Sequence, residues 1–397
     1  MSRQSKIVVV GGGIIGTTTA YYTALLARER GLDAAIHLVE GSSIAAGASG
    51  KAGGLLAVDW HGPATASLAE LSYSLHAQLA QQYAGESRWG YRKLDTISVS
   101  ADLSHPSHSS KLSNTKKLKN GDLFPWLNHD VLTHSSVLGS QETTSQVHPE
   151  QFTKSLWEEA GKLGVETTFG TVDALAKHDN GTYTVTITAR DEPVETTTLE
   201  ADQVVICAGP WSGKLLSSLG IKGGGRARRI DGSRAHSVVL KTAPGRELPA
   251  QALFTSIKEK KGGSAEPEIY NRPDGTAYAC GATDSSPLPS HASKVQVSSA
   301  AIATILNHTA LLSPSHLALD NGADSAQVVR EQACYLPVGS GDPVIGKIEG
   351  QSPHQGVYVA SGHSCWGICN GPGTGKVLAE ILLDGKATSA DVSGLSP

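Results

Sequence analysis

The sequence predicts an α/β fold with a second unit of different composition. The first forty residues indicate a strand, a helix and a second strand, because the apolar runs Ile7–Val10 and Ala35–Val39 flank a helix-like segment over 14–30. Residues 226–326 contain short strand-like runs and one helix near 297–312. A chain of 397 residues is long enough for two or three structural units.

Hydrophobic periodicity predicts the other elements. The expected helices cover 64–90, 151–163 and 373–383, and the expected strands cover 165–169, 183–188, 204–208, 237–241, 268–271, 277–281 and 356–360, with one more after Val328. The segment Ser98–Ser145 is rich in Ser, Thr, His and Lys, so we expect a loop with little regular structure there.

The composition favours small-molecule chemistry. Hydrophobic residues make up 39% of the chain and charged residues 18%, which is ordinary globular usage. With 33 Lys and Arg against 37 Asp and Glu, the chain lacks the excess of positive charge that is typical of nucleic-acid-binding proteins. The five cysteines show no CxxC spacing, so neither a disulfide framework nor a metal site is expected. No run approaches the ~18 apolar residues of a membrane span, and we expect a cytoplasmic protein.

A glycine-rich turn follows the first strand and points to a dinucleotide. Gly11, Gly13 and Gly16 fit the GxGxxG pattern, and Ile14 and Ile15 open the helix. In this pattern the glycines allow a tight turn, a close approach to pyrophosphate and close helix packing. At the end of the second strand, the carboxylate of Glu40 is expected to bind a ribose hydroxyl. These features predict a Rossmann-type unit for NAD or FAD.

A second glycine-rich loop, Gly47–Leu56, follows this acid. On this loop the chain resembles the D-amino-acid-oxidase-like family of FAD oxidoreductases, which includes glycine oxidase and sarcosine oxidase. The segments 147–152, 170–172, 201–212, 342–346, 362–368 and 371–375 extend the resemblance. The resemblance implies a Rossmann-type FAD-binding domain (1–63, 146–225 and 327–397) and an α+β substrate-binding domain with an antiparallel sheet (64–145 and 226–326).

The glycine motif and the resemblance together predict the FAD-binding residues. They are Gly11, Gly13, Ile14, Ile15, Gly16, Glu40, Gly41, Ser42, Ala48, Ser49, Gly50, Lys51, Gly53, Gly54, Leu55, Val172, Ala208, Gly209, Trp211, Cys334, Gly362, His363, Gly367 and Ile368. Lys51 would keep a positive charge near the diphosphate, and Val172 would lie against adenine. A helix N-terminus after Gly362 would stabilise the reduced flavin.

The resemblance also shows where this chain departs from the family. Cys334 falls at the position where sarcosine oxidases bind flavin covalently, and it is either a thioether ligand or a buried free cysteine. Leu336, Cys365 and Cys369 stand where relatives carry the arginines or lysine that bind the substrate carboxylate. Either another arginine replaces them, or the substrate is larger, apolar, or an amine without a carboxylate there.

The candidate arginines are Arg234 and Arg272, and Tyr278 lies near the position of an oxygen-activating lysine. Aromatic walls are expected from Trp60, His61, Tyr335 and Trp366. The candidate catalytic residues are Cys334, His363, Trp366, Arg234, Arg272 and Tyr278.

The expected reaction is FAD-dependent oxidation of a C–N bond in an amine or amino acid, with oxygen or another electron acceptor reoxidising the flavin. Two alternatives stay open: a flavin dehydrogenase of a 2-hydroxy acid, and a flavin-binding protein of low turnover with a trafficking or regulatory role.

Overall fold

The computed structural model describes residues 4–104, 124–191, 194–260, 262–319, 322, 324–352 and 354–397. The strands are β1 (Ser5–Val10), β2 (Ala34–Glu40), β3 (Leu55–Ala57), β4 (Arg92–Lys93), β5 (Asp95–Asp102), β6 (Leu132–Gly139), β7 (Thr144–Gln146), β8 (Glu166–Lys177), β9 (Tyr183–Ala189), β10 (Thr196–Ala201), β11 (Gln203–Ile206), β12 (Asp231–Lys241), β13 (Gln251–Lys258), β14 (Ser264–Ala265), β15 (Glu268–Asn271), β16 (Thr276–Asp284), β17 (Gln327–Val338), β18 (Val344–Ser352) and β19 (Gln355–Ser361).

The helices are α1 (Ile14–Glu29), α2 (Ala66–Gln82), α3 (Gly85–Trp89), α4 (Pro149–Lys162), α5 (Ser212–Ser218), α6 (Ser299–Leu312), α7 (Pro314–Leu317) and α8 (Gly367–Asp384). None of these helices, within the described residues, is long and apolar enough to cross a membrane.

The first sheet has the order β10-β9-β8-β2-β1-β11-β19-β18, and its five central strands run parallel. Its inner strands are apolar on both faces because helices or loops cover each face; Ile7 and Val9 belong to one core cluster, Val8 and Val10 to another. Helices α1 and α8 pack closely, since a Cβ on Gly375 would come within 2.5 Å of the Thr18 backbone. The βαβ prediction for the first forty residues is confirmed.

The second sheet has the order β17-β12-β16-β15-β13-β5-β6 and is antiparallel except for the β13–β5 pair. Its core, which helix α6 covers, contains Ile97, Val99 and Ala101 of strand β5. The expectation of an irregular Ser98–Ser145 segment is therefore wrong, because β5, β6 and β7 fall within or overlap it. Strand β5 alternates apolar and polar residues, whereas edge strand β6 is mostly exposed and shows no such alternation, since it includes the exposed Val137 and Leu138. Residues 105–123 lie outside the described part.

Helix α8 begins six residues earlier than the predicted 373, and it contains Pro372. Proline lacks the N–H that would bond to the carbonyl of Ile368, four residues before it. The imidazole Nε2 of His76 on helix α2 donates to that carbonyl instead, at 2.9 Å. The Ser72 hydroxyl, also on α2, donates to the Cys369 carbonyl at 2.6 Å. Helix α2 thus supplies two hydrogen-bond donors to backbone carbonyls of α8. The sequence of α8 alone does not show these donors.

The two sheets draw on segments that alternate along the chain. Strand β17 pairs with β12 in the second sheet, although residues 327–338 fall in the FAD-binding part of the predicted partition. Helix α2, expected in the substrate-binding part, contributes Leu68, Leu75 and Leu79 to the core that also contains α1 and α8. The exact domain boundaries stay a prediction.

Candidate functional site

A cavity of about 590 Å³ lies at the carboxyl ends of the central parallel strands, which is where α/β folds place their ligands. Its lining comprises Val10, Gly11, Gly13, Ile14, Ile15, Val39, Glu40, Gly41, Ala46, Gly47, Ala48, Ser49, Ala52, Gly170, Thr171, Val172, Asp173, Cys207, Ala208, Gly209, Pro210, Trp211, Lys214, Leu215, Ser218, Leu288, Pro289, Ser290, His291, Ala292, Leu336, Pro337, Ser361, His363, Ser364, Cys365, Gly367 and Ile368.

The glycine turn between β1 and α1 leaves no room for side chains. A Cβ on Gly11, whose φ is +116°, would lie 2.3 Å from the Cys207 carbonyl oxygen. A Cβ on Gly16 would lie 1.8 Å from the Gly11 oxygen, so Gly16 serves the packing of α1 and does not line the cavity. The Ile14 N–H at the start of α1 donates to Ser49 Oγ at 2.9 Å, which ties the turn to the second glycine-rich loop.

Glu40 occupies the position expected of a ribose ligand. Its carboxylate lines the cavity and accepts the backbone N–H groups of Gly12 (2.7 Å) and Ser42 (2.6 Å). Burial raises the pKa of Glu40, although these two hydrogen bonds and the charge of Arg190 oppose that rise. A carboxylate has about four acceptor positions, so this one retains capacity for a ligand hydroxyl.

Part of the loop Gly47–Leu56 lines the cavity, and the rest packs against neighbouring segments of the chain. Ala48 and Ser49 line the cavity, whereas the predicted residues Gly50, Gly53, Gly54 and Leu55 do not. The glycines permit close contacts instead: a Cβ would lie 2.2 Å from the Ala45 oxygen at Gly50, 2.5 Å from the Tyr270 ring at Gly53, and 2.0 Å from the Val147 oxygen at Gly54.

Lys51, the predicted charge near the diphosphate, lies outside this lining. Its ammonium donates to the Ala333 carbonyl at 3.0 Å, and burial lowers its pKa. It borders a second cavity of about 350 Å³, together with Ser42 and Arg190.

One end of the main cavity is formed by Gly170–Asp173, which includes the predicted Val172, and by the turn after β11. Gly209 has φ +53°, and its carbonyl accepts from the Ser361 hydroxyl at 2.8 Å. The Trp211 indole donates to the Pro289 carbonyl at 2.6 Å, so this turn holds the segment 288–292 against the cavity. Sequence reasoning missed 288–292 because nothing in its composition marks it as part of a site.

The other end is formed by the start of helix α8. Gly367 and Ile368 line it, and the first turn of α8 contains no acidic residue. His363 lines it too; its Nε2 lies 3.0 Å from Thr374 Oγ1, and its buried Nδ1 has no partner among the described residues. Burial lowers the pKa of His363 to about 4, so the ring is neutral at pH 7. Gly362 supports this turn from outside the lining, since a Cβ there would lie 2.3 Å from Ser340 Oγ.

Most candidate catalytic residues do not line the cavity. Arg234 is engaged with Asp284, with nitrogen–oxygen distances of 2.8–3.0 Å, and with the Gln296 carbonyl, which argues against a role in binding a substrate carboxylate. Arg272 is buried without an ion pair to a described residue, and its Nε has no partner there. Cys334 is a buried thiol whose pKa burial raises to about 11. Tyr278 is buried in the same sheet.

The predicted aromatic residues cluster beside the start of α8. The Trp366 ring lies 4.4 Å from His61 and 6.3 Å from Trp60, measured between centroids. Trp60 in turn contacts Phe254 of strand β13 at 5.4 Å. Tyr335 makes no ring contact with these residues among those the structure describes. Its hydroxyl donates to the Pro287 carbonyl at 2.8 Å.

A parallel sheet with a glycine turn and an acid at its carboxyl edge, joined to an antiparallel sheet, is typical of a two-part dinucleotide-binding protein. Residues 6–381 match the family model of the FAD-dependent oxidoreductases called DAO, and the chain belongs to this family. The predicted fold class and the family resemblance are thereby confirmed.

Two fungal relatives carry the name "putative oxidoreductase". The protein of Schizosaccharomyces pombe is 39% identical over 417 residues, covering 100% of this chain and 99% of its own. The protein of Saccharomyces cerevisiae is 30% identical over 519 residues, covering 99% and 94%. Among solved structures, glycine oxidase from Geobacillus kaustophilus superposes with a TM-score of 0.73 at 20% identity, covering 100% of this chain and 98% of its own.

The cavity fits the FAD of this family. Gly11 and Gly13 present side-chain-free backbone to the cavity, and Glu40 retains acceptor positions for a ribose hydroxyl. At the other end, the orphaned Nδ1 of His363 and the start of α8 offer polar groups to a ligand. The predicted Ile14, Ile15, Gly41, Ala48, Ala208 and Trp211 lie along the wall between.

Proposed function

We propose that this protein oxidises a C–N bond of an amine or amino acid to an imine, which water then hydrolyses. The observation that carries the proposal is the single continuous lining that joins Glu40 and the glycine turn to the start of α8 and to Leu336 of the antiparallel sheet. The name of its structural relative, glycine oxidase, is consistent with an amine substrate. Bound FAD would supply the acceptor for the hydride that leaves the carbon next to nitrogen, and the proton lost from that nitrogen would pass to solvent.

The residues of the chain would hold and polarise the cofactor rather than act as bases. The positive end of the α8 dipole would stabilise negative charge developing at that end of the cavity. His363 would contribute a neutral ring with one free nitrogen, because burial disfavours its protonation. Leu336 and Pro337 provide an apolar wall that limits access of water.

We infer that FAD is held without a covalent bond. Cys334 does not line the cavity, and its raised pKa disfavours the thiolate that would attack a flavin methyl group. Acid precipitation of the purified protein tests this inference, and we expect the yellow colour to stay in the supernatant. Colour in the pellet that disappears in Cys334→Ser would establish the thioether instead.

The reaction itself is tested by anaerobic titration of the FAD-loaded protein with D- and L-amino acids, N-methyl amino acids and polyamines. Bleaching of the flavin absorbance by a member of this panel, with an aldehyde, keto acid or ammonia as product, is the expected result. Bleaching by 2-hydroxy acids alone, or by no compound, would refute the proposal and favour the dehydrogenase or the low-turnover binding protein.

Two further points stay predictions: that oxygen is the electron acceptor that reoxidises the flavin, and that the protein is located in the cytoplasm.

A further inference from the structure

We propose that the Glu268 carboxylate, with the neighbouring rings of Phe254 and Tyr270, binds a positive charge of the substrate. The substrate would then be an amine that places a positively charged group, and not a carboxylate, next to these three side chains. This inference rests on the proposed function, since it names the class of amine that the same site selects.

Glu268 lies on strand β15 of the second sheet, on the same face as Phe254, Tyr270 and Cys280. In the antiparallel register it is directly opposite Phe254 on β13 and Cys280 on β16, so the three side chains share one face. Tyr270, two residues along β15, is on that face too, and its hydroxyl donates to Glu268. The Cys280 thiol is 3.7 Å from the same carboxylate oxygen. Both donors are neutral, and Glu268 forms no ion pair with a described residue.

This face is adjacent to the site. The Tyr270 ring packs on Gly53 of the second glycine-rich loop, where a Cβ would lie 2.5 Å from it. Cys365, which lines the cavity, has a pKa raised by burial and then by the charge of Glu268. The Phe254 ring continues to Trp60 at 5.4 Å. Glu268, Phe254 and Tyr270 are not among the residues that line the cavity. They lie behind Cys365 and next to Trp60, and Glu268 and Phe254 are partly exposed there, so a substrate that extends past Cys365 would meet them.

The negative charge of Glu268 favours a ligand that carries a positive charge. Removing a carboxylate from water without a cation is unfavourable, and burial accordingly raises the pKa of Glu268. A cationic ligand would supply the missing counter-charge, and the aromatic faces would add a cation–π attraction. A ligand carboxylate would meet a like charge. The buried guanidinium of Arg272 lies 5.4 Å from the centroid of the Tyr278 ring, next to Tyr270, and 3.4 Å from both the Ala52 carbonyl and His148, so the test includes an Arg272 variant.

The test compares three ligands of one chain length: n-butylamine, butan-1-ol and butyrate. Anaerobic calorimetric titration of the FAD-loaded protein should show the amine binding at least tenfold more tightly than the alcohol, with butyrate weakest. Glu268→Gln keeps the size of the side chain, and we expect it to weaken amine binding at least tenfold and leave the alcohol unchanged. Glu268→Asp keeps the charge and should retain the preference. Glu266→Gln, which removes an exposed charge nearby, is the matched control.

Tightest binding of butyrate, abolished by Arg272→Gln, would overturn the inference. So would an unchanged preference in Glu268→Gln, or an equal loss in Glu268→Gln and Glu268→Asp at normal FAD content. The two proposals fail separately: amine binding without flavin bleaching refutes the proposed oxidation alone, whereas bleaching with a KM for amines that Glu268→Gln does not change refutes only the role of Glu268.

Discussion

Acid should destabilise this protein through His76, the residue that bonds to the carbonyl left free by Pro372. His76 is fully buried, and burial lowers its pKa from 6.5 to about 4. Because the folded-state pKa is the lower one, the unfolded chain takes up the proton first as pH falls below 6.5, and folding stability declines. At pH 5, 1.5 pH units below 6.5 at about 1.36 kcal/mol per unit correspond to a loss of about 2 kcal/mol.

The assay is urea unfolding of the FAD-loaded protein at pH 7 and pH 5, monitored by tryptophan fluorescence. His76→Gln replaces the ring by an amide that does not titrate and still has an N–H for the Ile368 carbonyl. We expect this variant to lose about 2 kcal/mol less than the wild type between the two pH values. His134→Gln, at an exposed position on β6, should behave as wild type. An equal loss in His76→Gln and wild type would refute the reasoning.

Three further predictions concern the site and the sheets. Gly16→Ala should abolish FAD retention, because its Cβ would lie 1.8 Å from the backbone oxygen of Gly11. The measurement is the flavin absorbance per mole of purified protein. The control variant Gly161→Ala, whose Cβ would meet nothing within 4 Å, should retain FAD. Cys334→Ser should lower FAD content less than twofold by the same measurement, since the thiol does not line the cavity; complete loss would contradict this. Arg234→Gln should lower thermal stability by a few degrees and leave the KM for amines unchanged, because Arg234 is paired with Asp284; a tenfold higher KM would show that it binds substrate.

Residues close in sequence made the nucleotide-binding half predictable. The strand, the glycine turn, helix α1 and the acid Glu40 all lie within forty residues, and the chemistry of each follows from local sterics and hydrogen bonding. Gly16 is required by its contact with the Gly11 oxygen inside that unit, and the spacing of the glycines signals a dinucleotide. The contact that excludes a side chain at Gly11 comes instead from Cys207, a distant residue of the chain. The family resemblance then extended this prediction to FAD.

Only the tertiary structure decided which distant side chains meet. Arg234 and Asp284 are 50 residues apart, and their ion pair removes an arginine that the sequence offered for substrate binding. The irregular-looking Ser98–Ser145 segment contains strands because β13, more than a hundred residues later, pairs with β5. The neighbours of Glu268 likewise come from separate strands, Phe254 from β13 and Cys280 from β16. Such contacts depend on strand register and sheet packing, which link residues that no local pattern in the chain connects.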